Sequence, residues 1–224
     1  MIARDEILQR VRDALADLES SPEIPVDDEG FTSQDAKGLP TRDDEESDVL
    51  GLFAERCEDY RAAVHRVLHR DLPSTIARVL VESGVESVVL PSGLDPTWRQ
   101  EIAQTRIRVV DDDPPLSHGE LNDVSAVVTA AKVGIAETGT IVLDHGPDQG
   151  RRALSLVPDL HLCVINEDQI VADVPDALPR LRPSIESGRP LTWISGPSAT
   201  SDIELERVEG VHGPRTLIVI LASQ

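Results

Sequence analysis

Residues 72–110 read LPSTIARVLVESGVESVVLPSGLDPTWRQEIAQTRIRVV, and this run decides the fold. LPSTIARVLVESGV carries apolar residues at helical spacing, with Ser74 as the expected N-cap and Gly84 as the stop. ESVVLP is a short apolar run, the pattern of a strand covered on both faces. PTWRQEIAQT is a second helix and IRVV a second strand. Helix, strand, helix, strand is the rhythm of a mainly parallel sheet flanked by helices, so the fold class is α/β.

The flanks extend this reading. VSAVVTAA (124–131), TIVLD (140–144), HLCVIN (161–166) and TLIVILA (216–222) are strand candidates, and DALPRLRPSI (176–185) is helical in part. Upstream, VLGLFAERCEDYRAAVHRVL (49–68) predicts a helix through Leu52, Phe53, Val64 and Leu68. ARDEILQRVRDALADLE (3–19) predicts an amphipathic helix through Ile7, Leu8, Val11, Leu15 and Leu18. The segment between these two helices is rich in Pro, Gly, Ser and acids and has no apolar period, which marks a linker. The expected organisation is a helical arm with an acidic linker at 1–48 and one α/β domain at 49–224.

Aromatic residues make up only 2% of the 224-residue chain, so its core must be built from Val, Leu, Ile and Ala. The net charge is −20, and the first 60 residues alone hold 18 acids against 6 basic residues. Lys37 and Lys132 are the only lysines. Such a surface repels a nucleic-acid backbone and favours solubility. Cys57 and Cys163 are far apart with no CxxC, which argues against an iron–sulfur or Cys-rich zinc site in this chain. No signal core and no run of membrane-spanning length is present, so a cytoplasmic protein with reduced thiols and no membrane partner is expected.

Three polar corners carry the candidate chemistry: AETGT (136–140), SGPSATSDIE (195–204) and GVHGP (210–214). In parallel α/β sheets such corners gather at the carboxyl ends of strands, where ligands bind. Glu137 has the chemistry of a nucleophile, a base or a ligand anchor. Thr138 and Thr140 offer hydroxyls, and Gly139 permits positive φ or a backbone nest for an anion. Ser195, Gly196 and Ser198 supply donors without bulk. Thr200, Asp202, Glu204, His212 and Gly213 complete the set expected to share one pocket. For each corner the alternative is a plain turn. His118, His145, His161 and His212 lack HxH or HExxH spacing, so no metal site is assigned. Arg151 and Arg152 form either an anion clamp or a solvated pair beside Asp148.

The sequence from GIAETGTIVLDHG through WISGPSATSDIELERVEGVHGPRTLIVIL resembles the LUD-domain family over roughly residues 49–224. The resemblance rests on A-E-T-G-T, S-G-P-S-x-T-x-D-I-E and G-V-H-G-P occurring in that order. It implies a fold similar to the NagB/ribose-5-phosphate isomerase/CoA-transferase group. It also implies a cluster-free part in oxidising L-lactate to pyruvate, beside iron–sulfur lactate utilization subunits that carry the cysteine motifs. By analogy with the CoA-transferases, Glu137 takes the place of their nucleophile. The rival reading is a stand-alone enzyme acting on a phosphorylated or CoA-linked small molecule. No cofactor is assigned.

Overall fold

The computed structural model describes residues 46–201, 207–209 and 213–224. Helix α1 spans Glu46–Asp59, β1 Ala63–Leu68, α2 Leu72–Glu82, β2 Ser87–Val89, α3 Pro96–Ala103, β3 Arg108–Val110, α4 His118–Asn122 and β4 Ala126–Ala130. Then follow β5 Val133–Ile135, β6 Thr140–Leu143, β7 Leu160–Asn166, β8 Ile170–Val171, α5 Val174–Glu186, β9 Thr192–Ile194, β10 Ala199–Ser201, β11 Arg207–Glu209 and β12 Thr216–Ser223.

Six strands form a sheet in the order β1-β12-β7-β4-β2-β3, every neighbouring pair parallel. Its central strands are apolar on both faces because both are covered. Leu162, Val164, Ile218 and Ile220 pack with Leu72, Ile76 and Leu80 of α2 and Ile102 of α3. The alternate residues Cys163, Ile165, Val219 and Leu221 pack with Phe53 and Cys57 of α1 and with Ile141 and Leu143 of β6. The two-residue period thus sends each strand's side chains into two different cores. A second, mixed sheet runs β8-β5-β6-β9, with β6 antiparallel to both β5 and β9. Its far face holds Val133, Ile135 and Val142 against Ala177 and Leu181 of α5. β10 and β11 form a separate antiparallel pair.

The structure corrects three expectations. The helix predicted over 49–68 ends at Asp59, and the chain turns at Arg61 (φ 69°) into edge strand β1. Val64 and Leu68 are four apart, a spacing that both the helical and the strand period satisfy, and the sequence alone did not separate them. Ser74 is not an N-cap: α2 starts at Leu72 behind Asp71, and the Ser74 hydroxyl donates back to the Asp71 carbonyl at 2.9 Å. The AETGT and SGPS corners lie on the mixed sheet, not at the carboxyl edge of the parallel one. Of the arm and linker predicted over 1–48, residues 1–45 lie outside the described residues, and 46–48 open α1.

Candidate functional site

AETGT is the hairpin turn between β5 and β6. Because β6 is antiparallel to both neighbours, the end of β5, the start of β6 and the end of β9 fall on one edge. That geometry joins two of the predicted corners. The Thr140 hydroxyl lies 2.7 Å from the Thr138 hydroxyl and 2.7 Å from the Ser195 hydroxyl. Ser198 N–H donates to the Pro214 carbonyl at 2.8 Å, and a Cβ on Gly213 would sit 3.5 Å from Ser198 Cβ. Glu137 and Thr138 are exposed at the tip, and Glu137 N–H donates to the Ala172 carbonyl at 3.0 Å. Thr200 lies in β10, its side chain outside the described set, as are Asp202, Glu204 and His212.

The two glycines of these turns have a local cause. Gly139 takes φ +57°, and a Cβ there would meet the Arg56 carbonyl carbon at 2.6 Å and the Cys57 nitrogen at 2.8 Å. Gly196 takes φ +84°, and its Cβ would meet Tyr60 Cβ and O, both at 2.7 Å. The end of α1 packs against Gly139, and Tyr60 just beyond it packs against Gly196. Cys57 Sγ closes this seat by donating to the Gly139 carbonyl at 3.5 Å.

The parallel sheet has a separate opening at the carboxyl ends of β2 and β3. Here the chain runs outward from β2 to β3 and then returns across β2 to β4, which makes a topological switch point. A cleft of ≈ 790 Å³ lies there. Its walls are Leu90–Ser92 after β2, Asp111–Asp113 after β3, the loop His145–Arg151 after β6, and Arg189 beyond α5. Arg151 and His145 are candidates from sequence, whereas DDDPP (111–115) is not among them. The available signal was that 111–113 directly follow a parallel strand.

The cleft walls are held by charge and hydrogen bonds. Arg151 grips Asp112 through Nε (2.7 Å) and Nη2 (2.8 Å), and Nη2 also donates to the Leu116 carbonyl at 2.6 Å. Arg151 is therefore a structural clamp between two loops rather than a solvated side chain. Burial pushes the Asp112 carboxyl up, but hydrogen bonds from Arg151 and the Leu116 N–H outweigh it and hold it below its ordinary value. Asp144 is buried and accepts from Ser184 Oγ at 2.5 Å, Gly146 N–H at 3.2 Å and Arg189 Nη1 at 3.4 Å. Burial works against its charge, yet Ser184, Lys132, the Gly146 N–H and Arg189 keep its carboxyl low. Asp148 is pushed the other way by burial and then by the Asp144 charge.

Gln149 Oε1 accepts from the N–H groups of both Asp144 (2.7 Å) and His145 (3.0 Å), fixing the loop. His145 sits at φ 54°. Its Nδ1 lies 3.1 Å from the Gly150 carbonyl, which can only accept, so Nδ1 carries the proton. Nε2 is then an acceptor for the Thr192 hydroxyl at 2.8 Å. Burial lowers the His145 pKa, with a smaller push from Arg152, which favours this neutral form.

Arg151→Ala should lower stability by about 1–3 kcal/mol, because it strands a mostly buried carboxylate while solvent reaches only part of the gap. Urea unfolding at neutral pH measures it, and an unchanged midpoint would show that the clamp contributes nothing.

The LUD domain family model matches residues 50–222. Lactate utilization protein C of Deinococcus radiodurans is 50% identical over 177 residues, 79% of this chain and 81% of that protein. Lactate utilization protein C of Bacillus subtilis is 35% identical over 100 residues, 43% of this chain and 41% of the other. A crystal structure of a DUF162 family protein from Deinococcus radiodurans superimposes with a TM-score of 0.68 at 43% identity, covering 82% of this chain and 99% of that one.

Proposed function

The chain belongs to the LUD-domain family, in its lactate utilization protein C branch, and from that premise we propose that it is the cluster-free subunit of an iron–sulfur L-lactate oxidation system. The observation that carries this reading is the 50% identity to a lactate utilization protein C over 79% of the chain. The cysteines support it. Cys57 and Cys163 are 1% and 0% exposed, and burial pushes both thiols up to about 12. They are core residues, inert as thiolate ligands. Cluster chemistry then belongs to cysteine-rich partner subunits, and this chain acts beside them in the cytoplasm. Among the described residues no helix is long and apolar enough to cross a membrane.

We assign residues 49–224 to the LUD-type domain and read its architecture as similar to the NagB/ribose-5-phosphate isomerase/CoA-transferase group. Support comes from the parallel sheet with its switch point and from the mixed sheet packed on one face. The small-ligand pocket is placed in the switch-point cleft rather than at AETGT. The cleft is a preorganised concavity with carboxylates, Arg189 and a neutral His145, whereas α1 fills the glycine side of the hairpin.

Capture of the tagged chain from its native host, with partners identified by mass spectrometry, tests the assembly. Recovery of cysteine-rich iron–sulfur proteins is expected. Their absence, with normal growth of a deletion strain on lactate, would overturn the proposal. The rival stand-alone enzyme with Glu137 as nucleophile draws on the exposure of that carboxylate. Glu137→Gln separates the two. An exposed substitution changes stability by less than about 0.5 kcal/mol, so its effect on growth reports chemistry. Unaltered growth on lactate is expected, and loss of growth with intact folding would favour the rival.

A further inference from the structure

A second cavity, of ≈ 250 Å³, lies beneath β9. Thr192 links it to the cleft: its residue lines the cavity while its hydroxyl reaches His145 in the cleft wall. Three buried polar residues line the cavity: Ser155, whose hydroxyl donates to the Arg152 carbonyl at 3.2 Å, Thr192, whose hydroxyl is turned to His145, and His161 on β7, only 1% exposed. Among the described residues His161 has one side-chain partner, Thr129, whose hydroxyl is 2.8 Å from Nε2.

The bonds beyond Thr129 set the direction of that contact. Cys163 keeps its proton, since burial pushes the thiol up to about 12, and it donates to the Ala130 carbonyl at 3.8 Å. Thr129 Oγ1 in turn donates to Cys163 Sγ at 3.7 Å. With its proton so used, Thr129 accepts from His161 Nε2–H. Nδ1 is left as a bare acceptor on a ring that lines the cavity. A buried acceptor without a partner is unfavourable, so something in the cavity must supply a donor.

The described lining of the cavity holds no Lys, Arg, Asp or Glu. Burial also pushes the His161 pKa down to about 4, so the ring is neutral at physiological pH. A carboxylate or phosphate placed there would lose its hydration without gaining a cation. Leu156, Ile194 and Leu217 give apolar wall, and the Ser195 and Ser198 residues give polar wall. The volume suits roughly five to ten non-hydrogen atoms.

We propose that this cavity binds a small uncharged hydroxylated molecule, an alcohol or polyol, whose O–H donates to Nδ1 of His161 while its carbon skeleton packs on Leu156, Ile194 and Leu217. The proposal does not rest on the lactate reading.

The test is histidine side-chain 15N NMR on the full chain at neutral pH, titrated with 1,2-propanediol and separately with L-lactate. The two probes are similar in size and differ in charge. His161→Gln assigns the resonances by their loss. If that variant does not fold, Thr129→Val assigns them by the selective shift of one ring. The expected result is an unprotonated Nδ1 in the free protein, a saturable shift of that nitrogen with propanediol, and at least tenfold weaker response to L-lactate. A protonated Nδ1, no saturable shift with propanediol (water being the only occupant), or an equal or stronger response to L-lactate would each overturn the proposal.

Discussion

Between pH 6.5 and pH 4 the fold should lose on the order of 3 kcal/mol through His161 alone. The ring is buried, and burial depresses its folded pKa from 6.5 to about 4. Above pH 6.5 neither state binds the proton and the group contributes nothing to the pH dependence. As pH falls below 6.5 the unfolded chain takes up a proton that the folded chain refuses, so stability falls. The loss is complete near pH 4, where the folded ring also protonates. A shift of about two and a half units at 1.36 kcal/mol each gives the stated magnitude. Other groups act in the same scan. Asp112 and Asp144 have depressed folded pKa values, so their stabilisation is present above the ordinary carboxylate range and is lost below it. Asp148 is raised and works in the opposite sense. Protonation of surface acids also relieves the repulsion within a chain of net charge −20. Urea unfolding of the wild type and of His161→Gln at pH 7, 6, 5 and 4.5 separates these contributions. The wild type should lose about 2.5 kcal/mol of its advantage over the variant between pH 7 and pH 4.5. Parallel curves would show that the folded ring titrates like an exposed histidine.

The parallel sheet was legible because its strands are continuous apolar runs and its helices carry local start and stop signals. Asp95 before Pro96 is one such signal, and its carboxylate accepts from Thr97 N–H at 2.8 Å. Gly84 ends α2 at φ +70° as read. β1 was not legible, since an edge strand that exposes Ala63, Arg66 and Leu68 loses the apolar run that marks its buried neighbours. The proximity of AETGT to SGPS was foreseen from their shared chemistry. The carboxyl ends of β5 and β9 share one edge as foreseen, but on the mixed sheet rather than on the parallel one. Sheet membership is a long-range property, and nothing local in TIVLD distinguishes an antiparallel β6 from a parallel strand. The cleft was harder still. Asp112 and Arg151 are 39 residues apart, and only the crossover from β3 to β4 brings the two loops together.

Gly139→Ala should cost about 2–5 kcal/mol, the sum of a left-handed backbone penalty of about 1–2 and overpacking of about 1–3. The overpacking arises because the new methyl would lie 2.6–2.8 Å from Arg56 and Cys57 atoms, two of them backbone. That helix is held by Phe53 and Cys57, buried at 0% and 1% exposure, so it cannot recede cheaply. Gly188→Ala is the control. It has nearly the same dihedral, φ +71°, with nothing within 4 Å of the added methyl. It should therefore cost only the backbone part, about 1–2 kcal/mol. Urea unfolding of both variants gives the difference directly, and that difference measures the seat of α1 on the hairpin. A ligand nest at Gly139 predicts the opposite pattern, in which the two glycines cost the same in the free protein and Gly139→Ala loses only binding. If the seat reading holds, the line of hydroxyls from Thr138 through Thr140 to Ser195 is a structural joint. It ties the hairpin turn to the end of β9, while Cys57 and the close approach at Gly139 seat α1 against that turn.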